Sequence, residues 1–190
     1  MKPEDRRKCL EKRLEFKTAD IEKKALIWEK CRRDPVFFAN YFLWTYDPRP
    51  DVVNHKTCFI LYDFQEDTLR WLVNHIKGGT DCLLDKSRDM GATWDVLMVY
   101  EHFWHFEDML TFLMMSRKED LVDKPDDPDS LMWKVDFLLE HLPGWLCPRY
   151  VRAKLHFKNM DTGSTMDGSS TTSDVARGGS AILAANVTVD

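Results

Sequence analysis

Polar and apolar positions along this chain alternate in a few long patterns. Over residues 4–33, Leu10, Leu14, Ile21, Ala25 and Trp28 recur near helical spacing among charged residues. This predicts an amphipathic helix lying on the body of the protein, with a break or cap at Thr18-Ala19-Asp20. Asp34-Pro35 should end it, because proline disfavours helix for the residue before it. The aromatic cluster from Phe37 to Trp44 reads as core packing, closed by a turn at Asp47-Pro48-Arg49-Pro50. From Asp63 to Ile76 the positions of Phe64, Leu69, Trp71, Leu72 and His75 predict a short amphipathic helix that Gly78-Gly79 stops.

Asp81-Cys82-Leu83-Leu84-Asp85 is a short apolar run, 86–91 is polar, and Ala92 to Phe106 is apolar nearly all round, as a buried helix is. A second apolar run covers Met109 to Met115. Strand, loop, helix and strand in this order predict one βαβ unit, and such units build parallel sheets. Residues 119–130, with Pro125 and Pro128, read as an acidic surface loop, and Leu131 to Leu142 as helix. Tyr150 to Phe157 alternates, which predicts one strand with one buried face. Residues 162–180 are 13 of 19 Ser, Thr or Gly, the composition of a flexible linker. A glycine-rich β-hairpin punctuated by Met166 and Val175 is the alternative, and Ala181 to Val189 reads as one last strand.

Composition narrows the class. Hydrophobic residues make up 44% and aromatics 12%, enough for a sizeable core and too much for wholesale disorder. The five cysteines (Cys9, Cys31, Cys58, Cys82, Cys147) are scattered with no C-x-x-C pair, which argues for a reducing compartment and against a zinc module. No apolar run reaches a membrane span, and Met1 to Asp5 lacks a signal-peptide core, so a soluble intracellular protein without membrane partners is expected. The net charge of −5 is uneven: residues 1–34 carry 12 Lys/Arg against 8 Asp/Glu, and the rest 15 against 24. A globally basic nucleic-acid binder is not indicated.

The segment from Asp81 to Trp94 carries the candidate chemistry. A phosphate loop needs a strand, a turn with converging amides and a helix whose N-terminus faces the anion. Its usual form is G-x-x-x-x-G-K-[ST]. Gly91 and Thr93 occupy the second glycine and the hydroxyl position, while Lys86 stands at the first glycine and Ala92 at the lysine. A lysine at the front of the loop can still reach β/γ oxygens, Gly91 permits close backbone approach, and Thr93 can ligate Mg²⁺. Arg88 adds a second cation inside the loop. Spacing alone leaves open a plain strand-to-helix turn with a polar exterior.

Taken together, Lys86-Ser87-Arg88-Asp89-Met90-Gly91-Ala92-Thr93, the upstream Leu61-Tyr62-Asp63-Phe64-Gln65, Phe42 to Arg49, and downstream Asn159 to Gly168 and Ala176 to Gly179 resemble the N-terminal ATPase domain of the large terminase subunit of tailed phages. The resemblance implies an α/β fold of P-loop NTPase type, an incomplete parallel sheet flanked by helices over 35–190, with 1–34 as a charged helical extension. It implies ATP and Mg²⁺ held by Phe64, Gln65, Lys86, Ser87, Arg88, Asp89, Met90, Gly91, Ala92, Thr93 and Trp94. Gln65 would read adenine, Lys86 would contact the β/γ phosphates, Arg88 would act in cis on the transferring phosphoryl group, and Thr93 would hold the metal. The implied partners are double-stranded DNA, contacted non-specifically, the portal protein and the small terminase subunit, and the implied location is the host cytoplasm.

The family continues after Arg-Gly-Gly with an apolar strand ending in Asp-Glu. Here Ser180 to Asp190 follows, with no Asp-Glu pair, and Asp190 has no adjacent acid. The expectation is therefore an ATPase part without the coupling segment and nuclease domain, inactive by itself. A truncated remnant that binds nucleotide without turnover, and a non-enzymatic α/β interaction module, are the alternatives. His102 and His105 beside Glu101 make a weak metal motif, better read as core or interface histidines. Asp120, Asp123, Asp126, Asp127 and Asp129 lack a calcium-loop pattern and read as solvated. Ser116-Arg117-Lys118, at the end of the second apolar strand, lies where α/β sheets bind ligands.

Overall fold

The polar N-terminal stretch is two helices, as its break at 18–20 predicts. A computed structural model of the chain describes residues 3–87, 90–170 and 181–184. Helix α1 spans Pro3–Lys17 and α2 spans Ile21–Arg33, with the Asp20 carboxylate capping α2 by accepting from the Lys23 N–H at 2.8 Å. Asp34 does end α2, yet the chain re-enters a helix at once. Its own N–H donates to Lys30 O, while its carboxylate accepts from the Val36 and Phe37 N–H groups and Pro35 takes the first helical turn.

The aromatic cluster is thus helix α3, Pro35–Phe42, and not a turn-bounded packing segment. It buries Phe37, Phe38 and Phe42, as core packing requires. Strands β1, Trp44–Tyr46, and β2, Lys56–Cys58, follow as an antiparallel pair with Thr45 opposite Thr57. Helix α4, Asp63–Gly78, ends at Gly79 in a left-handed conformation, as the double glycine predicts.

The expected strand over Asp81–Asp85 is not formed. Residues 81–87 have no regular structure, and Leu83 is 89% exposed. Two leucines between acids give a strand too little apolar surface to hold it against a sheet, so the front of the expected βαβ unit is missing. Helix α5, Ala92–Phe106, is buried along most of its length.

Strand β3 is Thr111–Ser116, and the acidic stretch after it contains the short helix α6, Glu119–Val122. Asp123 is buried, against the solvated reading. It accepts from Arg152 and from the Leu155 N–H. Burial alone would raise that carboxyl, but the Arg152 hydrogen bonds and the Leu155 N–H outweigh it and hold it below the usual range.

Helix α7 spans Leu131–Glu140. The alternating run from Tyr150 is a hairpin of β4, Tyr150–Ala153, and β5, His156–Asn159, and not one strand. Its turn residue Leu155 has φ +57 and points a side chain inward, so the alternation hides the reversal.

Residues 165–170 of the supposed linker form β6, Thr165–Ser170, paired antiparallel to β5 and parallel to β3. Gly168 explains the composition. A Cβ there would lie under 3 Å from Val122, Leu155 and Met132. Strand β7, Ala181–Ala184, completes a mixed sheet of order β4-β5-β6-β3-β7, with β6, β3 and β7 parallel. The rest of the alternative hairpin, the Ala176–Gly179 match and Asp190 lie outside the described residues.

The chain divides into two units, Met1–Val99 with Phe137–Cys147, and Tyr100–Asp136 with Pro148–Asp190. The first is helical with the β1–β2 pair, and the second contains the sheet. The fold is therefore mixed α/β. The boundary at residue 34 does not coincide with this division, since α1, α2 and α3 share the first unit.

Candidate functional site

Two helix starts in the first unit gather the residues singled out above. At the start of α4, the Gln65 side chain is turned back on its own helix, and its Oε1 accepts from the Tyr62 N–H at 3.1 Å. Its Nε2 donates to Asp95 Oδ1, in the first turn of α5, at 3.1 Å. Gln65 is 4% exposed.

The chain enters α5 through Gly91, whose φ of +80 favours glycine. A Cβ on Gly91 would stand 2.9 Å from Gln65 Nε2, so the carboxamide lies against the turn because the turn carries no side chain. The Asp95 N–H donates to Gly91 O at 3.0 Å, which starts the helix. The preceding N–H groups, of Ala92, Thr93 and Trp94, find no acceptor among the described residues. Such a helix mouth attracts anions. Trp94 is buried against Phe137 with ring centroids 6.0 Å apart, which anchors the turn, and Thr93 is half-buried beside it.

Lys86, Ser87 and Met90 are exposed, and Arg88 and Asp89 lie outside the described residues. The structure brings Gln65, Gly91, Ala92, Thr93 and Trp94 together, and the Lys86 side chain is exposed to solvent. Phe64 is exposed and stacks on Tyr62, with centroids 5.7 Å apart and planes 5° from parallel.

Two participants escaped the sequence reading. Tyr62 carries half of the ring pair. Asp95 is an acid in the first turn of a largely apolar helix; burial pushes its carboxyl up to about 7, against the opposing Gln65 hydrogen bond.

A magnesium ion held mostly by phosphates and water needs one or two protein oxygens, which the Thr93 hydroxyl can supply. Among the described residues no group of three His, Cys, Asp or Glu is placed to hold a metal by itself. His102 and His105 are buried, with His105 Nδ1 2.8 Å from Glu101 Oε1. Ser116 is buried at the end of β3, and Arg117 and Lys118 are exposed. No helix among the described residues is long and apolar enough to cross a membrane. No protein-family model matches the chain, and a search of curated proteins finds no significant relative.

Proposed function

We propose that this chain is the ATP-binding part of a terminase-like DNA-packaging motor, holding ATP and Mg²⁺ at the mouth of α5. In the full-length protein, hydrolysis would drive double-stranded DNA, contacted non-specifically through its phosphates, with the portal protein and small terminase subunit as partners in the host cytoplasm. The observation that carries this reading is the meeting of Gln65 with the Gly91 turn. Segments that the resemblance assigns to opposite ends of one nucleotide are adjacent, beside three amides with no acceptor among the described residues and an exposed ring pair. Thr93 would ligate the metal, and Lys86 and Arg88 would reach the phosphates once the loop closes over them.

A second reading, nucleotide binding without turnover, is favoured by the exposure of Lys86 and the lack of a strand over 81–87. The helix mouth can retain triphosphate by itself, yet a Lys86 that stays in solvent leaves the transferring phosphoryl group without that cation.

Thermal unfolding tests the shared core of both readings. At a hundredfold excess over the dissociation constant, ATP·Mg stabilises a binding protein by about 2.7 kcal/mol, or about 5–11 °C at this size. Lys86→Ala should lose most of that shift with an unchanged melting temperature in the absence of ligand, because Lys86 is exposed. No shift in the unmodified protein would leave an α/β interaction module.

A further inference from the structure

The hydrogen bonds of Gln65 determine what the site selects, if the nucleotide reading above holds. A carboxamide that reads adenine must offer both its N–H and its C=O to the base edge. Here Oε1 is occupied by the Tyr62 N–H and Nε2 by Asp95 Oδ1, each at 3.1 Å, in a side chain that is 4% exposed. Turning it towards a ligand would break both bonds and leave a buried Asp95 oxygen without its donor. Nε2 also occupies the space beside Gly91 that a side chain there would need. Gln65 therefore has the placement of a brace.

The groups left to meet a base are rings. Tyr62 and Phe64 lie parallel, 58% and 46% exposed, at the start of the same helix. Stacking on such a platform tolerates any base, because every base has a π face. We propose that Gln65 is a positioning residue for the Gly91 turn and that the Tyr62–Phe64 pair takes the nucleobase, so that the site accepts purine nucleoside triphosphates without selecting adenine.

Calorimetric titration of the full chain with ATP, GTP, CTP and inorganic tripolyphosphate, each with Mg²⁺, tests this. ATP and GTP should bind within about threefold of one another, CTP more weakly and tripolyphosphate weakest, in the order of stacking area. Tyr62→Ala and Phe64→Ala, at exposed positions, should weaken ATP and GTP by one common factor of about fivefold or more and leave tripolyphosphate unchanged. Gln65→Met keeps the side-chain length without the two hydrogen bonds. It should weaken all four ligands alike, including the one with no base to read.

An ATP preference above about tenfold that disappears in Gln65→Met, with tripolyphosphate binding intact, would overturn the proposal and make Gln65 a base reader. Unchanged ATP binding in both ring variants would overturn the stacking half. If the unmodified protein binds none of the four ligands, tripolyphosphate included, the nucleotide reading itself fails and takes this inference with it. Should Gln65→Met not fold, the ATP-to-GTP ratio of the unmodified protein and the two ring variants still decide the matter.

Discussion

Asp95 is buried in the first turn of α5, where its Oδ1 accepts from Gln65 Nε2. Burial disfavours the charged form, so the carboxyl sits at about 7 in the folded protein against an ordinary value of 3.8. The folded chain thus holds a proton that the unfolded chain has already released between these two values. Stability from this group is fully present below about pH 4 and is lost as pH rises to about 7. At 1.4 kcal/mol per pH unit the loss between pH 5.5 and 8 is about 2 kcal/mol. Asp95→Asn can keep the Gln65 contact without a charge, so urea unfolding of that variant should lack this part of the slope and be the more stable protein at pH 8. Parallel stability–pH curves for the two proteins would refute the assignment.

Among the elements, α1 is held to α3 by the Phe16 ring, which meets Phe37, Tyr41 and Phe42, and by Arg13. The Arg13 guanidinium donates to the Ala39, Asn40 and Leu43 carbonyls at the end of α3 and lies over the Trp44 ring, 5.3 Å from its centroid. Ala39 O and Leu43 O also accept from the Leu43 and Phe59 N–H groups, and Arg13 adds a charged donor to this helix end. Burial draws its proton affinity down, though an arginine stays charged at any working pH. Arg13→Ala should cost about 2–3 kcal/mol and open the α1–α2 segment to limited proteolysis. Arg13→Lys should recover little, because an ammonium cannot reach three carbonyls as a planar fork does. Equal proteolysis rates for Arg13→Ala and the unmodified chain would mean that α1 is held by other contacts.

The sequence patterns expose such elements unevenly. The α1–α2 break, α4, α5, β3 and α7 follow from periodicity and stop signals, because each has one side to bury. The α3 restart was hidden in Asp34, which ends one helix and caps the next. The β4–β5 reversal was hidden in Leu155, a core side chain on a turn. Composition misled over 165–170, where Gly168 is small because three side chains crowd it. At the site, Gly91 and Thr93 were legible as a helix entry, whereas the Gln65–Asp95 bond joins residues 30 apart and has no local signal.

At the scale of the whole molecule, charge and site geometry bear on turnover together. The basic excess of the N-terminal helices is partly spent internally: Arg7 pairs with Glu11, Arg32 and Arg33 pair with Glu29, Lys23 pairs with Glu15, and Arg13 is buried. These are five of the twelve basic residues in 1–34, and the chain as a whole carries −5, which makes stimulation of hydrolysis by DNA unexpected for this chain. Hydrolysis further needs a carboxylate to orient water and cations on the transferring phosphoryl group. Asp95 stands near the Gly91 turn, but it is engaged by Gln65 and half-protonated near neutral pH, and Lys86 stands in solvent. Phosphate release from saturating ATP·Mg should therefore stay at buffer level, with and without double-stranded DNA, in the same samples whose melting temperature ATP raises. Steady turnover that Arg88→Ala abolishes would show instead that Arg88 reaches the transferring phosphoryl group and that the chain is a working ATPase.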